Sequence, residues 1–292
     1  MRPGPAAAAQ LIRETLLLNA APRRVTEILV DIIVQQNWYD ESLAYEMAER
    51  WQSTVLVRLR EDLNDLIAQG RPTKFSFNSS SDDLLQGACF CEPSDSTQLV
   101  DSKGRRLNYY DYHAALKILT PREFELLCGK IIFLLGVKNP VVTRSSADEG
   151  IDFYGKLELG SLFYPSDLSP TIQKQMNVWL VGQAKHYQAV QSGTPELREL
   201  VGSIELGRAK VFGSKSSPLN QMDIRVVDPV FAVFVTTGSI SLNGWTLLER
   251  SGVIGFDGEM VAAFLADRGA GMNGSIFSQD NFFDWLNEPS FN

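Results

Sequence analysis

The sequence predicts an α/β fold in which helices cover both faces of a sheet, preceded by a helical N-terminal domain. Helical and strand-like segments alternate from residue 119 to residue 270, which is typical of such a sheet. The first seventy residues instead carry apolar residues at a spacing of three or four, which indicates helices with one buried face. The 292 residues are 44% hydrophobic and 21% charged, which is the composition of a globular protein.

The N-terminal domain, residues 1–70, is predicted to contain three helices. The third is the longest, with Asp40 as its expected N-cap and Gly70 as its C-terminal stop. One interpretation of this domain is packing or dimerisation without chemistry; the other is a DNA-reading helix-turn-helix. The latter lacks support, because acidic residues cluster where a basic recognition helix is needed. The residues concerned are Leu11, Thr15, Leu16 and Leu18 in the first helix, 25–36 for the second, Leu43, Met47, Trp51, Val55, Leu59, Leu63 and Leu66 in the third, and the acidic Glu61, Asp62 and Asp65.

Residues 71–118 are predicted to be an irregular connection between domains. The stretches 76–83 and 93–96 are rich in Ser, Asn, Asp and Pro, which indicates loops or a small hairpin region. Residues 103–106, Lys-Gly-Arg-Arg, predict a compact basic turn. Residues 109–119 then lead into the next domain.

The next domain is predicted to span residues 119–270 and to begin with a strongly marked helix. Thr120, Pro121 and Glu123 place a hydroxyl at the N-cap, proline at the first helical position and glutamate at the third. A polar tail, 271–292, carries late aromatic residues and is expected to dock back onto the domain. The further predicted elements are strands at 141–143, from 151, 178–184, 231–236 and 253–256, a turn at 145–150, and helices from 194, at 245–251 and, as the last one, at 258–268.

Two of the predicted strands carry polar side chains that a buried strand needs a reason to hold. Asp152 stands between Ile151 and Phe153, and Gln183 and Lys185 alternate with small residues. Because side chains alternate along a strand, Gln183 and Lys185 are expected on the same face. One interpretation is a buried ion pair between Asp152 and Lys185, or strand ends that reach water. The other is a metal site that hydrolyses phosphodiesters.

The metal interpretation has a chemical rationale. Phosphodiester hydrolysis needs a divalent cation held by oxygen ligands, which Asp152 and the main-chain carbonyl of Ala184 can supply. Lys185 would orient the attacking water or stabilise the developing negative charge. Glu125 on the capped helix would add a carboxylate, although a solvated glutamate on a helix face is the commoner case.

Charge and cysteine content limit the choice of partners. The formal net charge is −8, so any contact with nucleic acid must rest on a local cluster of positive charge. Three cysteines, Cys89, Cys91 and Cys128, are too few for a disulfide framework and favour a cytoplasmic location. A structural zinc would also need His113 or His186, and ordinary thiols are the alternative. No apolar run approaches the roughly 18 residues of a membrane span.

Motifs in a fixed order along about 150 residues resemble the Mrr-type restriction endonucleases, a branch of the PD-(D/E)xK nuclease superfamily. Each motif is weak alone, and their order makes the resemblance specific. The motifs are Leu119-Thr120-Pro121 with Phe124-Glu125, Leu135-Gly136, Val142-Thr143, Asp148-Glu149-Gly150-Ile151-Asp152, Gln183-Ala184-Lys185-His186-Tyr187, Glu199-Leu200-Val201-Gly202, Phe234-Val235-Thr236-Thr237-Gly238 and Gly255-Phe256-Asp257-Gly258-Glu259-Met260.

The resemblance implies a restriction-endonuclease-like mixed sheet and a DNA-cleaving enzyme that uses Mg²⁺, with Mn²⁺ as a substitute. It implies that Asp152 binds the metal, that Gln183 replaces the usual second acidic ligand, and that Lys185 completes the motif. Glu125 matches the helix glutamate that assists in many members. The sequence departs from the family in Glu149, where glycine is usual, in an insertion at 156–177, and in its acidic charge.

The sequence therefore predicts a metal-dependent DNA endonuclease in the cytoplasm, with no membrane contact. By analogy with the family it would be a restriction or anti-phage defence effector. Cutting both strands favours a homodimer or larger oligomer, and the N-terminal helices would serve dimerisation, a protein partner or target sensing. The alternatives are a catalytically silent binding or assembly subunit of the same fold, and a nuclease directed at RNA.

Overall fold

The computed structural model describes residues 2–143, 150–158, 169, 176–187, 191–209 and 222–288. The chain folds into two compact units, Met1–Asn108 and Tyr109–Asn292. The domain limits drawn from the sequence, after residues 70, 118 and 270, stay predictions. The expected turn at 145–149, Glu149 itself and most of the insertion at 156–177 lie outside the described residues. No helix within the described ranges is long and apolar enough to cross a bilayer.

The first unit combines helices with a small antiparallel sheet. Asp40 caps the longest helix by accepting a hydrogen bond from Leu43 N at 2.9 Å, and Gly70 follows its end with φ +64°, so both predicted helix signals are confirmed. The helices are α1 (Pro5–Thr15), α2 (Val25–Gln35) and α3 (Glu41–Ala68), and the strands are β1 (Arg23–Arg24), β2 (Phe75–Phe77) and β3 (Leu84–Gly87), in the order β1-β3-β2.

The buried face of the first helix differs from the prediction. The buried residues of α1 are Ala7, Ala8, Ala9 and Ile12. Of the predicted face, Leu11 is half-buried and Thr15 is exposed, whereas Leu16 and Leu18 lie beyond the end of the helix. Small alanine side chains allow close approach of α1 to its neighbours. The pattern of large apolar residues did not indicate this alanine face. On α3 the buried stripe includes Trp51, Val55 and Leu59 as expected.

The expected basic turn at 103–106 is wrong. These residues form the last turn of helix α4 (Thr97–Arg106), which Ser96 caps through a hydrogen bond from Leu99 N. No residue of α4 is buried, so the helix gave no apolar periodicity to recognise. It is tied down instead by Lys103, whose Nζ donates to Asp95 Oδ2 at 2.7 Å and to the carbonyl of Phe90 at 2.8 Å.

The second unit contains a mixed sheet flanked by helices, which confirms the predicted fold class. Its helices are α5 (Tyr109–Ile118), α6 (Pro121–Leu134), α7 (Thr194–Arg208), α8 (Leu242–Ser251), α9 (Gly258–Arg268) and α10 (Gln279–Asn287). Its strands are β4 (Val141–Val142), β5 (Phe153–Glu158), β6 (Asn177–Lys185), β7 (Val230–Thr236) and β8 (Ile254–Phe256). In the described part of the sheet the strand order is β4-β5-β6-β7-β8.

The strands change direction in the middle of the sheet. β4, β5 and β6 pair antiparallel, whereas β6, β7 and β8 pair parallel. Tyr154 packs with Leu197 and Leu200 of α7. A Cβ on the next residue, Gly155, would lie 2.3 Å from the Val137 side chain that follows α6. Because consecutive residues of a strand face opposite ways, α6 and α7 cover opposite faces of the sheet.

The predicted start of α6 is confirmed, and the prediction for the last helix of the second unit is wrong. Thr120 and Glu123 form the expected capping box at the start of α6. The helix at 258–268 is not the last one, because α10 follows it in the tail. The predicted docking of the tail is confirmed: Phe282 is buried, and Lys130 Nζ donates to the Glu288 carbonyl at 3.2 Å.

Candidate active site

An irregularity in the sheet positions Asp152. Phe153 pairs with Gly182 in the β5–β6 ladder, and Asp152 N also donates to the Gly182 carbonyl at 2.9 Å. Two consecutive residues therefore lie opposite one, as in a β-bulge. Further along β6, a side chain takes the place of a main-chain acceptor: Asp152 Oδ2 accepts a hydrogen bond from Ala184 N at 2.7 Å. The buried carboxylate is thereby fixed against the end of β6.

Thr143 holds the main chain of Asp152 from the other side. Thr143 N donates to the Asp152 carbonyl at 2.9 Å, and its hydroxyl donates to the carbonyls of Ile151 at 2.8 Å and Asp152 at 3.1 Å. The position of Asp152 thus follows from hydrogen bonds to both neighbouring strands rather than from packing alone.

Gln183 and Lys185 come together at the end of β6, as the alternation predicts. With the Gln183 amide oriented to satisfy both its ends, its oxygen accepts from Lys185 Nζ at 3.1 Å and its nitrogen donates to the Glu196 carbonyl at 3.3 Å. Lys185 Nζ also lies 3.9 Å from Glu199 Oε2 on α7. Within the described residues the ion pair of Lys185 is therefore with Glu199. The alternative interpretation, an ion pair between Lys185 and Asp152, is wrong.

Glu125 is already engaged by a neighbouring side chain on α6. Its Oε2 accepts from Arg122 Nη1 at 2.6 Å. Burial raises the pKa of the Cys128 thiol, and the negative charges of Asp152 and Glu125 raise it further. The charges of both carboxylates therefore act on the same thiol on α6. The structure bonds the Asp152 carboxylate to the main chain of Ala184 and brings together the side chains of Gln183 and Lys185, which flank that residue. The contacts of Glu125 in the described residues are with Arg122.

The residues after Lys185 brace this end of the sheet. Tyr187 N donates to Thr237 Oγ1 at 2.9 Å, and the threonine hydroxyl returns a bond to the Tyr187 carbonyl at 3.0 Å. The Tyr187 hydroxyl donates to Glu196 Oε1 at 3.4 Å. Burial raises the pKa of the Tyr187 phenol, and the charge of Glu196 adds to this effect. The ring of His186 packs edge-on against Phe124, which ties α6 to the end of β6.

Gly182 has no room for a side chain, which makes the sheet under the site sensitive to substitution. An added Cβ would lie 2.1 Å from the Phe153 ring and 2.7 Å from the Val233 carbonyl. The second contact is with main chain and cannot be relieved by a rotamer change. We expect Gly182→Ala to lower the free energy of unfolding by about 3 kcal/mol, the upper end of the usual cost of overpacking, as measured by urea denaturation.

The control for this prediction is a glycine on α7. A Cβ on Gly202 would meet no atom within 4 Å. Alanine is favoured over glycine in a helix by about 1 kcal/mol, so Gly202→Ala should stabilise the protein. Equal effects of the two substitutions would contradict the packing described at Gly182.

The oxygen donors at this end of the sheet fit a small divalent cation. Among the described residues, no group of three or more His, Cys, Asp or Glu side chains is placed to hold a metal ion. Mg²⁺, however, is commonly bound by one or two carboxylates, with water and substrate phosphate completing its coordination. The Asp152 carboxylate, the Gln183 amide oxygen and the Ala184 carbonyl are donors of the hard oxygen type that this ion prefers.

Comparison with known proteins identifies the domain. Residues 116–212 match the family model of the Mrr-type restriction endonucleases. The chain therefore carries a restriction endonuclease domain. Glu125, Asp152, Gln183 and Lys185 all lie within the matched residues, and the resemblance drawn from the sequence is confirmed. No curated protein matches the sequence with significance.

Three solved structures of restriction endonucleases are similar to this chain at low sequence identity. MspJI in complex with a 27-mer oligonucleotide is 19% identical with a TM-score of 0.39, and the match covers 66% of this chain and 37% of that chain. The DNA modification-dependent AspBHI is 18% identical with a TM-score of 0.38, and the match covers 72% of this chain and 46% of that chain. FokI bound to DNA is 12% identical with a TM-score of 0.34, and the match covers 90% of this chain and 45% of that chain. The present chain spans less than half the length of each of them.

Three residues around the candidate site were not recognised from the sequence. Glu199 pairs with Lys185, Thr143 holds the main chain of Asp152, and Arg122 binds Glu125. Thr143 and Glu199 belong to the motifs that carry the family resemblance, which was a signal for both. Arg122 gave no signal of its own beyond its place three residues before Glu125.

Proposed function

We propose that this protein is a Mg²⁺-dependent endonuclease that hydrolyses phosphodiester bonds of DNA, with its active site at Asp152, Gln183 and Lys185. The observation that carries the proposal is the joint position of these residues. A buried carboxylate is bonded to Ala184 N, and an amide and an ammonium flank that same residue, inside a matched restriction endonuclease domain. A sheet with a purely structural role does not require a carboxylate, an amide and an ammonium at one strand end.

Asp152, the Gln183 amide oxygen and the Ala184 carbonyl would hold the ion, and Mn²⁺ would substitute for Mg²⁺. Glu125 would contribute through Oε1, because its Oε2 is bound by Arg122. When bound, the ion would lower the pKa of a coordinated water and neutralise charge on the phosphate. Because Gln183 is neutral, Asp152 and Glu125 are the only formal negative charges of this set, and we expect modest metal affinity.

Lys185 supplies the positive charge of the site. Gln183 and Glu199 hold its ammonium at the end of β6, so it needs little reorganisation to act. A positioned ammonium stabilises negative charge that develops on the phosphate oxygens, and it orients a water by hydrogen bonding. Both roles require that Lys185 keep a proton while the phosphodiester is attacked.

We further propose that the protein is cytoplasmic and acts as a restriction or anti-phage defence effector. Cleavage of both strands would require two sites, so a homodimer or larger oligomer is part of the proposal. The helices of the first unit would bind a protein partner or sense the target. The alternatives are an RNA-directed nuclease and a catalytically silent assembly subunit.

The test is an assay of the purified full chain on supercoiled plasmid, linear duplex and single-stranded RNA. Each substrate is incubated with Mg²⁺, Mn²⁺ or EDTA. We expect nicked and linear plasmid with either ion and intact plasmid in EDTA. Cleavage of RNA alone would contradict DNA as the substrate and favour the RNA-directed nuclease. No cleavage of any substrate with either ion would contradict the nuclease function and favour the catalytically silent assembly subunit.

A further inference from the structure

The first turn of α6 carries Arg122, which hydrogen-bonds to described residues through one nitrogen of its guanidinium. Arg122 Nη1 donates to Glu125 Oε2 and to the Thr143 carbonyl, both at 2.6 Å. Its hydrogen bonds to described residues use this single nitrogen. The Arg122 side chain is 48% exposed, against 19% for Glu125. The guanidinium is therefore anchored at Nη1, and Nε and Nη2 remain for another partner.

The anchor places this guanidinium beside the candidate active site. Thr143, which receives the bond from Arg122, itself donates to the main chain of Ile151 and Asp152. One residue, Thr143, thus separates the arginine from the main chain of Asp152, the residue proposed to bind the metal. Glu125, the second anchor, lies on α6 just after the Thr120–Glu123 capping box.

Stability does not explain this arrangement. Ion pairs three residues apart on a helix contribute little to folding, and Arg122 is about half exposed. Lysine would serve such a pair equally well, whereas the planar fork of arginine holds one partner and still offers parallel donors to a phosphate. The chain also carries a net charge of −8, so binding of a polyanion depends on positive groups at the site itself.

We propose that Arg122 binds a backbone phosphate of the nucleic acid next to the phosphate that is cleaved, and that Glu125 and Thr143 position it for that contact. This inference rests on the proposed nuclease function. It gives Glu125 a positioning task, which explains why a carboxylate near the site is held by a cation. Arg122 would add binding energy and register, and Lys185 would act on the reacting phosphate.

The experiment compares Arg122→Gln, Arg122→Lys and a distal control, Lys138→Gln, in the full chain. Lys138 forms an exposed ion pair with Glu158, at the end of β5 that lies away from Asp152. Binding to a short fluorescein-labelled duplex is measured by anisotropy over a range of salt concentrations. Ca²⁺ replaces Mg²⁺, and a gel verifies that the duplex stays intact.

We expect Arg122→Gln to raise the Kd about tenfold, since a charge-assisted phosphate bond is lost. The slope of log Kd against log salt concentration should fall by about 0.9, the value for one phosphate contact on B-DNA. Arg122→Lys should restore the slope, because it keeps the charge, and recover only part of the affinity. Lys138→Gln should leave both quantities at the wild-type value.

An unchanged salt slope in Arg122→Gln would overturn the inference, even if cleavage were slower, because Arg122 would then act only on Glu125. The same slope change in Lys138→Gln would also overturn it, because the effect would be one of overall charge. A wild-type protein that neither binds nor cuts nucleic acid would instead refute the proposed function. Thermal melting of each variant shows whether the fold is retained.

Discussion

Asp152→Asn is expected to abolish cleavage without disturbing the fold. Asparagine keeps an oxygen that accepts from Ala184 N, so the bond that fixes the end of β6 is retained. It removes the negative charge that is proposed to hold the cation. A metal ion contributes several kcal/mol to phosphodiester hydrolysis, so kcat should fall roughly a thousandfold or more. The measurement is the rate of plasmid nicking at saturating Mg²⁺.

Asp152→Ala separates the two tasks of this side chain. Alanine leaves Ala184 N without its acceptor at a buried position, which should lower the free energy of unfolding by about 1–3 kcal/mol relative to Asp152→Asn. Both variants should be inactive, and only the alanine variant should melt earlier. If Asp152→Asn keeps more than a tenth of the wild-type rate, Asp152 does not bind the catalytic metal.

Lys185→Ala is expected to have the second largest effect on activity. Removal of a preorganised cation from a developing negative charge costs about 10²–10³-fold in kcat. The KM should change little, since the group acts on the reacting phosphate and not on the rest of the substrate. Lys185 and Glu199 are partly exposed and 3.9 Å apart, so the loss of stability should stay below about 1 kcal/mol.

Lys138→Ala is the matched control for this prediction. It removes another lysine that is paired with a glutamate on the same unit, at the other end of the sheet. Its cleavage rate should equal that of the wild type. Equal losses in both lysine variants would indicate a general effect of charge on substrate binding, and the proposed role of Lys185 would be wrong.

The elements that could be predicted from the sequence are those with local signals. Thr120, Pro121 and Glu123 specify the start of α6 by their own chemistry, and the capping box is present. The strand predicted at 231–236 is present as β7, which lies between β6 and β8 in the described sheet and is buried from Val233 to Thr236. Helix α4 was missed, because no residue of α4 is buried and its anchor is the contact from Lys103 to Asp95.

The sequence predicted that Gln183 and Lys185 share one face of β6, and it did not predict the hydrogen bonds that connect the candidate site residues. Alternation along β6 was enough to bring Gln183 and Lys185 together. The bond from Ala184 N to Asp152 arises from the local irregularity opposite Gly182, which no periodic pattern encodes. The partner of Lys185 depends on which turn of α7 faces the sheet, and α7 follows β6 after residues that the structure does not describe.

The most direct test of the account is the position of Mn²⁺ in crystals of the full chain, located by anomalous scattering. We predict an ordered ion about 2 Å from an oxygen of Asp152, the distance typical of small divalent cations and oxygen ligands. The Ala184 carbonyl or the Gln183 amide should share it, and Lys185 should lie on the open side. A Mn²⁺ ion bound elsewhere on this domain, with none at Asp152, would contradict the account.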